Sequence, residues 1–315
     1  VRSRVIRAIA VTSILGAVVA GCGSGPSQVG SAVIVGDSAA RLADVDSTLD
    51  TLLANPKFSA QLTKAGVTPD MVTREIVGRA VIHDLIRAEA AATGLSVSDA
   101  EIDQTIAADD RTTDDNQPAA QPLESPIAMY GDPAARREAV RDDLLLVKLG
   151  QREIDSLDVA VQVGQTGSAA DAQAKAQLAL AGGAAADQFF GGPAQAVSAS
   201  QIVPGFAQAP PYAWSLLGTP AGGVIVVNPQ QGSNTWTIAK VQSRTTTPPG
   251  RAPAPSDSSQ LDPSLLLTFG QHLLQPRAMA TDIRVNPRFG VWDPLSMAVV
   301  AEGQAAGTLY PPAAP

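Results

Sequence analysis

Apolar residues recur at spacings of three and four through Val72, Ile76, Ala80, Val81, Leu85 and Ile86, which places them on one face of an α-helix. Thr68 suits the N-cap, Pro69 the first helical position, and Asp70 the electropositive end of the helix dipole. Nothing interrupts the run before Gly94, so the pattern predicts a single helix of about 25 residues and about 37 Å. Ser98 and Glu101 then form an S-x-x-E capping box, opening a second helix with Ile102 and Ile106 on its inner side.

The same patterning predicts elements on either side. Ala32 to Val35 read as a strand, with a turn at Gly36-Asp37 before Arg41-Leu42. A helix follows through Val45, Leu49, Leu52 and Leu53 and ends near Asn55-Pro56. Residues 109–126 are acidic, contain proline and read as a mobile loop. They lack the glycine and distal glutamate of a calcium-binding EF-hand loop. Asp132-Pro133 restarts a helix through Val140, Leu144, Val147, Leu149 and Ile154, which completes a four-helix N-terminal bundle.

Val159 to Val163 alternate as a strand, and Ser168 caps an alanine-rich helix that stops at Gly182-Gly183. Another helical turn covers Ala184 to Phe190, a short helix covers Ala213 to Leu217, and strands cover Val224 to Val227 and Thr237 to Arg244. The Thr245–Pro263 stretch is a Pro/Ser linker. From Ser264 to Thr281 the helical period returns, with Pro276 expected to kink it. Asp282 to Val300 read as two strands around a turn, with Phe289 and Trp292 as core anchors, and the ending AAGTLYPPAAP reads as disordered.

Composition narrows the picture. With 45% hydrophobic but only 4% aromatic residues, any core is built from Ala, Val, Leu and Ile. Arg2, Arg4 and Arg7 precede a short acid-free apolar segment from Val5 to Val19, which reads as a secretory signal peptide rather than a membrane span. Val19-Ala20-Gly21-Cys22 resembles the lipobox of bacterial lipoproteins, which implies that Cys22 is lipidated and becomes the mature N-terminus. Two acyl chains on that thiol meet the two-signal requirement for stable anchoring. Loss of the leader leaves 19 basic against 30 acidic residues, a balance of −11, which excludes nucleic acid and anionic lipid surfaces as partners. Cys22 is the only cysteine, so no intramolecular disulfide supports the fold.

The phrase DLIRAEAAATGLSVSDAEIDQTI resembles the N-terminal domain of the SurA/PrsA family of extracytoplasmic chaperones and foldases. Leu85, Ile86, Ala90, Gly94, Leu95, Val97, Ser98, Asp99, Glu101 and Ile102 stand at the positions of its helix–turn–helix pattern. Val35-Gly36-Asp37 is similar to the family's strand-turn opening, without its Asn. Residues from Ser198 to Arg244 resemble the second half of a parvulin domain. The resemblance implies an α+β, mainly α fold in which the C-terminal helix and strands complete the N-terminal helical domain and a smaller parvulin-like α/β insert lies between. The expected division is 1–21 signal peptide, 22–30 tether, 31–157 helical domain, 158–248 insert, 249–263 linker, 264–300 C-terminal closure and 301–315 disordered tail.

Parvulins isomerise X–Pro bonds with paired histidines, a Cys or Asp between them, and apolar residues that seat the proline ring. Between Asp158 and Pro249 this chain has no His, Cys or Met, and its apolar remnants are Phe189, Phe190, Phe206, Tyr212 and Trp214. A parvulin-like insert without its catalytic centre is therefore expected, with no catalytic residue. His83 is expected to line a helix contact. His272, with Asp282 ten residues on and no G-x-S-x-G motif, marks no hydrolase triad. Neither a cofactor nor a metal site is expected, since two histidines and one acylated cysteine do not make one.

Together these readings point to a lipoprotein on the outer face of the bacterial cytoplasmic membrane. It would hold unfolded or translocating polypeptides in an acid-rimmed apolar groove between helical domain and insert. Two alternatives stay open at this stage: an active peptidyl-prolyl isomerase, and a structural envelope lipoprotein with one fixed partner.

Overall fold

A 25-residue helix, α3 (Pro69–Thr93), runs through the centre of the molecule. In the computed structural model, residues 29–114, 125–209, 211–229, 234–246 and 261–312 are described. The signal peptide, most of the tether and most of the Pro/Ser linker lie outside these residues. The Thr68 side chain accepts a hydrogen bond from the Met71 amide at 3.4 Å, and Gly94 ends α3 in the left-handed region at φ 71°. Val72, Val77, Gly78, Val81, Leu85 and Ile86 are buried. The capping box forms as expected at the start of α4 (Asp99–Asp114): Glu101 accepts from the Ser98 amide at 2.8 Å, and Ser98 Oγ accepts from the Glu101 amide. Glu101 also pairs with Lys148 at 2.7 Å, and these hydrogen bonds lower its pKa to about 2.

Two short helices depart from the expected pattern. Helix α1 (Leu42–Ala54) stops where expected, but Asn55 then caps a further helix, α2 (Pro56–Ala65), by accepting from the Lys57 and Phe58 amides. The expected loop at 109–126 is helical at both described ends. Helix α4 continues to Asp114, tied by Arg136–Asp110 and Arg137–Asp103 ion pairs to α6 (Pro133–Glu153). Ser125 caps α5 (Pro126–Tyr130).

The two ends of the chain meet in a three-stranded sheet. Strand β1 (Ser31–Val35) pairs on one side with β2 (Ser38–Arg41), across a turn in which Gly36 takes φ 57°. On its other side it pairs with β7 (Ile283–Val285), Val33 opposite Val285. The expected C-terminal helix is broken at Leu274 into α11 (Pro263–Leu273) and α12 (Gln275–Ala280), with Pro276 in the first turn of the second. Helix α11 crosses α6 at backbone distance. A Cβ on Gly270 would sit 2.0 Å from the Leu146 carbonyl oxygen, and one on Gly150 would sit 2.4 Å from that of Leu266. Residues 282–300 form β7 and a hairpin of β8 (Val291–Asp293) with β9 (Ala298–Val300), three strands where two were expected. Phe289 is buried and Trp292 is partly buried.

The remaining residues build a five-stranded antiparallel sheet. Its strands are β3 (Leu157–Thr166), β4 (Gln195–Ser198), β5 (Val224–Val227), β6 (Trp236–Thr246) and β10 (Gly307–Tyr310), in the order β10-β5-β6-β3-β4. The tail was expected to be disordered from residue 301. Instead β10 pairs with β5 from Gly307 opposite Val227 to Tyr310 opposite Val224, because the backbone edge of an apolar VIVV strand is completed by it. One face of the sheet packs Val224, Val226 and Ile238 against Ala172, Ala176 and Ala179 of α7 (Ala169–Ala181). The other face carries Val159, Val161, Ile225 and Val227 into the same core as Leu146, Leu266 and Phe269. The bridge is α10 (Pro211–Gly218), whose Trp214 and Leu217 are buried in that core. The architecture is α+β and mainly helical.

His272 sits at this junction, stacked on Trp214 with ring centroids 6.1 Å apart. Its Nδ1 is 2.9 Å from the Thr268 carbonyl and its Nε2 is 3.2 Å from that of Leu295. Burial holds its pKa below the ordinary value although both carbonyls favour the charged ring. In the unfolded chain the ring takes up a proton at about pH 6.5, so the native state binds fewer protons there and stability falls as the pH drops below that value. Substituting His272→Asn should lower the denaturant midpoint at pH 8, and the gap to the parent chain should narrow as titrations are repeated toward about pH 5.5. Gly270→Ala should cost about 2 kcal/mol or more in the same unfolding experiment, because the added methyl meets backbone that cannot yield.

Candidate functional site

A recess opens beside α3. Its walls are α1, α3, α5 and α6, its floor comes from Leu267 of α11 and from Met297, Ala298 and Val299, and its volume is about 680 Å³. Gly78 of α3 lines it where the β8–β9 hairpin packs against the helix, and a Cβ there would lie in ordinary contact, 3.5 Å from the Val299 amide. Ile76, Ala80 and Ile82 face the recess from α3, Ile127 from α5, and Ala139 and Leu146 from α6. Ile76 and Ala80, expected to be core, are only partly buried and form wall instead. Met297 holds φ 52°, which a side-chain-bearing residue rarely adopts. Its carbonyl accepts from Gln271 Nε2 at 2.9 Å.

Charged side chains face one another across the recess. Arg79 and His83 lie one turn apart on α3 and meet Asp143 and Asp142 of α6. Arg79 donates to both oxygens of Asp143 at 3.2 Å and to Ser125 Oγ at 3.0 Å. Burial pulls the Arg79 pKa down, and the charges of Asp143 and Glu75 more than offset that. His83 Nδ1 lies 2.7 Å from Asp142 Oδ2, and Nε2 lies 3.9 Å from Glu138, which Arg87 also approaches at 3.7 Å. The hydrogen bond with Asp142 raises the His83 pKa against the effect of burial. Burial raises Asp142 above the usual carboxylate range, and the bond to His83 only partly counters this. Asp142 Oδ1 is buried with no hydrogen-bond partner.

Among the described residues, the helical bundle and the five-stranded sheet do not leave the expected groove between them. That space is filled: Gly218 abuts the His272 carbonyl, and Ser215 Oγ donates to the Leu295 carbonyl. The five aromatic residues singled out as a proline-seat remnant do not converge either. Phe189 and Phe190 pack on the α7 side of the sheet, whereas Phe206, Tyr212 and Trp214 pack on the opposite side. Buried polar groups in the sheet are spent on structure. Lys240 Nζ donates to the Ala179 carbonyl at 2.7 Å near the end of α7, and Gln162 Nε2 donates to that of Gly192 at 2.8 Å. His83 stands at the α3–α6 contact, and His272 faces two carbonyls rather than a serine. Cys22 lies outside the described residues. Among the described residues no group of His, Cys, Asp and Glu is arranged to hold a metal, and no helix is long and apolar enough to cross a membrane.

Apolar periodicity does not mark Arg79, Glu138, Asp142 and Asp143, which the sequence therefore did not single out. A signal was present in the Asp142-Asp143 pair, set inside a helix directly before the apolar run Leu144 to Val147.

Each of the four walls lies within the part of the chain that comparison with known proteins singles out. The family model described as the SurA-like N-terminal domain matches residues 1–150. The chaperone SurA of Nitrosospira multiformis is 32% identical over 100 residues, a stretch that covers 30% of this chain and 22% of that relative. Among solved structures, the foldase protein PrsA of Lactococcus lactis aligns over 81% of this chain and 94% of its own, at 14% identity and a TM-score of 0.29. PrsA of Streptococcus pneumoniae aligns over 69% and 88%, at 16% identity and a TM-score of 0.24. The walls of the recess thus lie within the stretch that the SurA-like model matches, and its floor comes from the C-terminal segment.

Replacing Asp143 with Ala leaves a largely buried guanidinium without its bidentate partner. That change should lower the stability of the helical bundle by about 2–3 kcal/mol, somewhat less than a fully buried pair because Arg79 retains some exposure. Thermal melts at constant salt measure this.

Proposed function

We propose that this chain is an extracytoplasmic chaperone that holds unfolded or translocating polypeptides without covalent chemistry. It is tethered to the outer face of the bacterial cytoplasmic membrane through a lipidated Cys22, and its acidic body takes no nucleic acid. The observation that carries this reading is the recess of about 680 Å³ in the SurA-like domain. Apolar walls next to polar groups suit a short extended segment, which needs both side-chain contacts and hydrogen-bond partners for its backbone. Prolyl isomerase chemistry is the weaker reading, because residues 158–248 contain no His or Cys and their aromatic side chains divide between two faces of the sheet.

The test uses the full chain in lipid nanodiscs, added to a chemically denatured model substrate whose aggregation is followed by light scattering. Suppression at near-stoichiometric ratios is expected, and Ala139→Trp or Ala80→Trp, which fill the recess, should reduce the protection by about half or more with the melting temperature preserved. Undiminished protection by both tryptophan variants would remove the recess from the reading. No protection by the parent chain would remove the holding role itself. A protease-coupled prolyl isomerisation assay on the same preparation should show no acceleration above background.

A further inference from the structure

Resting on that holding role, we propose that Asp142, with Glu138 beside it, receives a lysine or arginine side chain of the client. The recess would then select extended segments in which a basic residue is flanked by apolar ones. Among the described residues, five carboxylates line the recess, those of Glu75, Asp132, Glu138, Asp142 and Asp143. Only three guanidiniums do so, those of Arg74, Arg79 and Arg136. Arg79 is committed to Asp143, and Arg136 to Asp110 outside the lining. Among the described residues Asp142 has His83 as its one hydrogen-bonded partner, on Oδ2.

The other oxygen is the informative one. Asp142 is 8% exposed, and its Oδ1 is buried with no hydrogen-bond partner. A carboxylate oxygen left bare in a protein interior loses its hydration without replacement. Asp142 already lines the recess, and χ2 of aspartate is a broad torsion, so a small adjustment of the carboxylate gives a bound cation access to Oδ1. A donor-only cation is the group that completes it, through a charge-assisted hydrogen bond. Residues flanking that cation in the client meet Ile76, Ile82, Ile127 and Leu267.

His83 competes for the same carboxylate. From α6 it faces Asp142 and Glu138; on its own helix Asp84 and Arg87 are its charged neighbours. The part of α1 that lines the recess offers only Ser47, Thr48 and Thr51, and α5 and β9 line it with uncharged residues. Neutral imidazole leaves the Asp142 charge available to a client, whereas imidazolium cancels it. Selection for a basic residue thus weakens as the pH falls.

Fluorescence anisotropy with the full chain in nanodiscs and two labelled apolar peptides decides the matter. One peptide carries a central arginine, and the other carries citrulline, which has the same shape and no charge. At about pH 8 the arginine peptide should bind about tenfold more tightly, the size of one charge-assisted hydrogen bond. That ratio should shrink toward one by about pH 6, where arginine keeps its charge and His83 gains one. Asp142→Asn should bring the two peptides within about twofold, and His83→Gln should retain the preference at the lower pH. Equal binding of both peptides by the parent chain overturns the selectivity and leaves the holding role intact. Absence of binding by either peptide overturns both. Should Asp142→Asn not fold, a preference that is the same at both pH values in the parent chain is enough to overturn the assignment to Asp142.

Discussion

Two glycines let the C-terminal helix touch the N-terminal bundle backbone to backbone. Gly150 lies against the Leu266 carbonyl and Gly270 against that of Leu146, so α6 and α11 approach at a distance no side chain would permit. Dispersion forces fall off steeply with separation, so a crossing this close engages many more atom pairs than a side-chain-mediated one. Everything C-terminal to it is placed by that contact. Strand β7 reaches β1 to close the small sheet, Arg277 of α12 pairs with Glu89 of α3, and the β8–β9 hairpin becomes the floor of the recess.

The recess itself joins two requirements that usually conflict. A surface that binds unfolded chain must be apolar, yet a large open apolar patch invites self-association. Here the apolar residues sit on the walls of a cleft, and the charges of α3 and α6 hold one another across it. The Arg79–Asp143 pair is compensated in place, so the guanidinium adds little net field. The Asp142–His83 pair is not, since one carboxylate oxygen has no donor and the imidazole titrates.

The five-stranded sheet is held differently from a free insert. One face has its own small core of alanines and valines under α7. The other shares the main core through α10, and β10 returns from the far end of the chain to complete the β5 edge. The sheet, the bundle and the C-terminal segment therefore share buried surface, and movement between them would have to expose residues such as Trp214, Leu217 and Phe269.

What the sequence determined by itself is what short-range physics controls. Thr68, Pro69 and Gly94 bound α3, the Ser98–Glu101 box starts α4, and the alternation at Val159 to Val163 marks β3; each depends on hydrogen bonds or steric limits within a few residues. The SurA-like helix–turn–helix was legible for the same reason, since its pattern is local. Tertiary structure alone decided which apolar positions would be buried and which charges would meet. Ile76 and Val77 differ little in a helical pattern, but Val77 is buried in the core and Ile76 is only partly buried and faces the recess. Asp142 becomes a buried carboxylate only because His83, 59 residues away, is brought against it. Strand β10 looked disordered because three residues between Gly307 and Pro311 carry no internal support. Its order comes from the unpaired edge of β5, more than 70 residues earlier in the chain, and no local rule contains that edge.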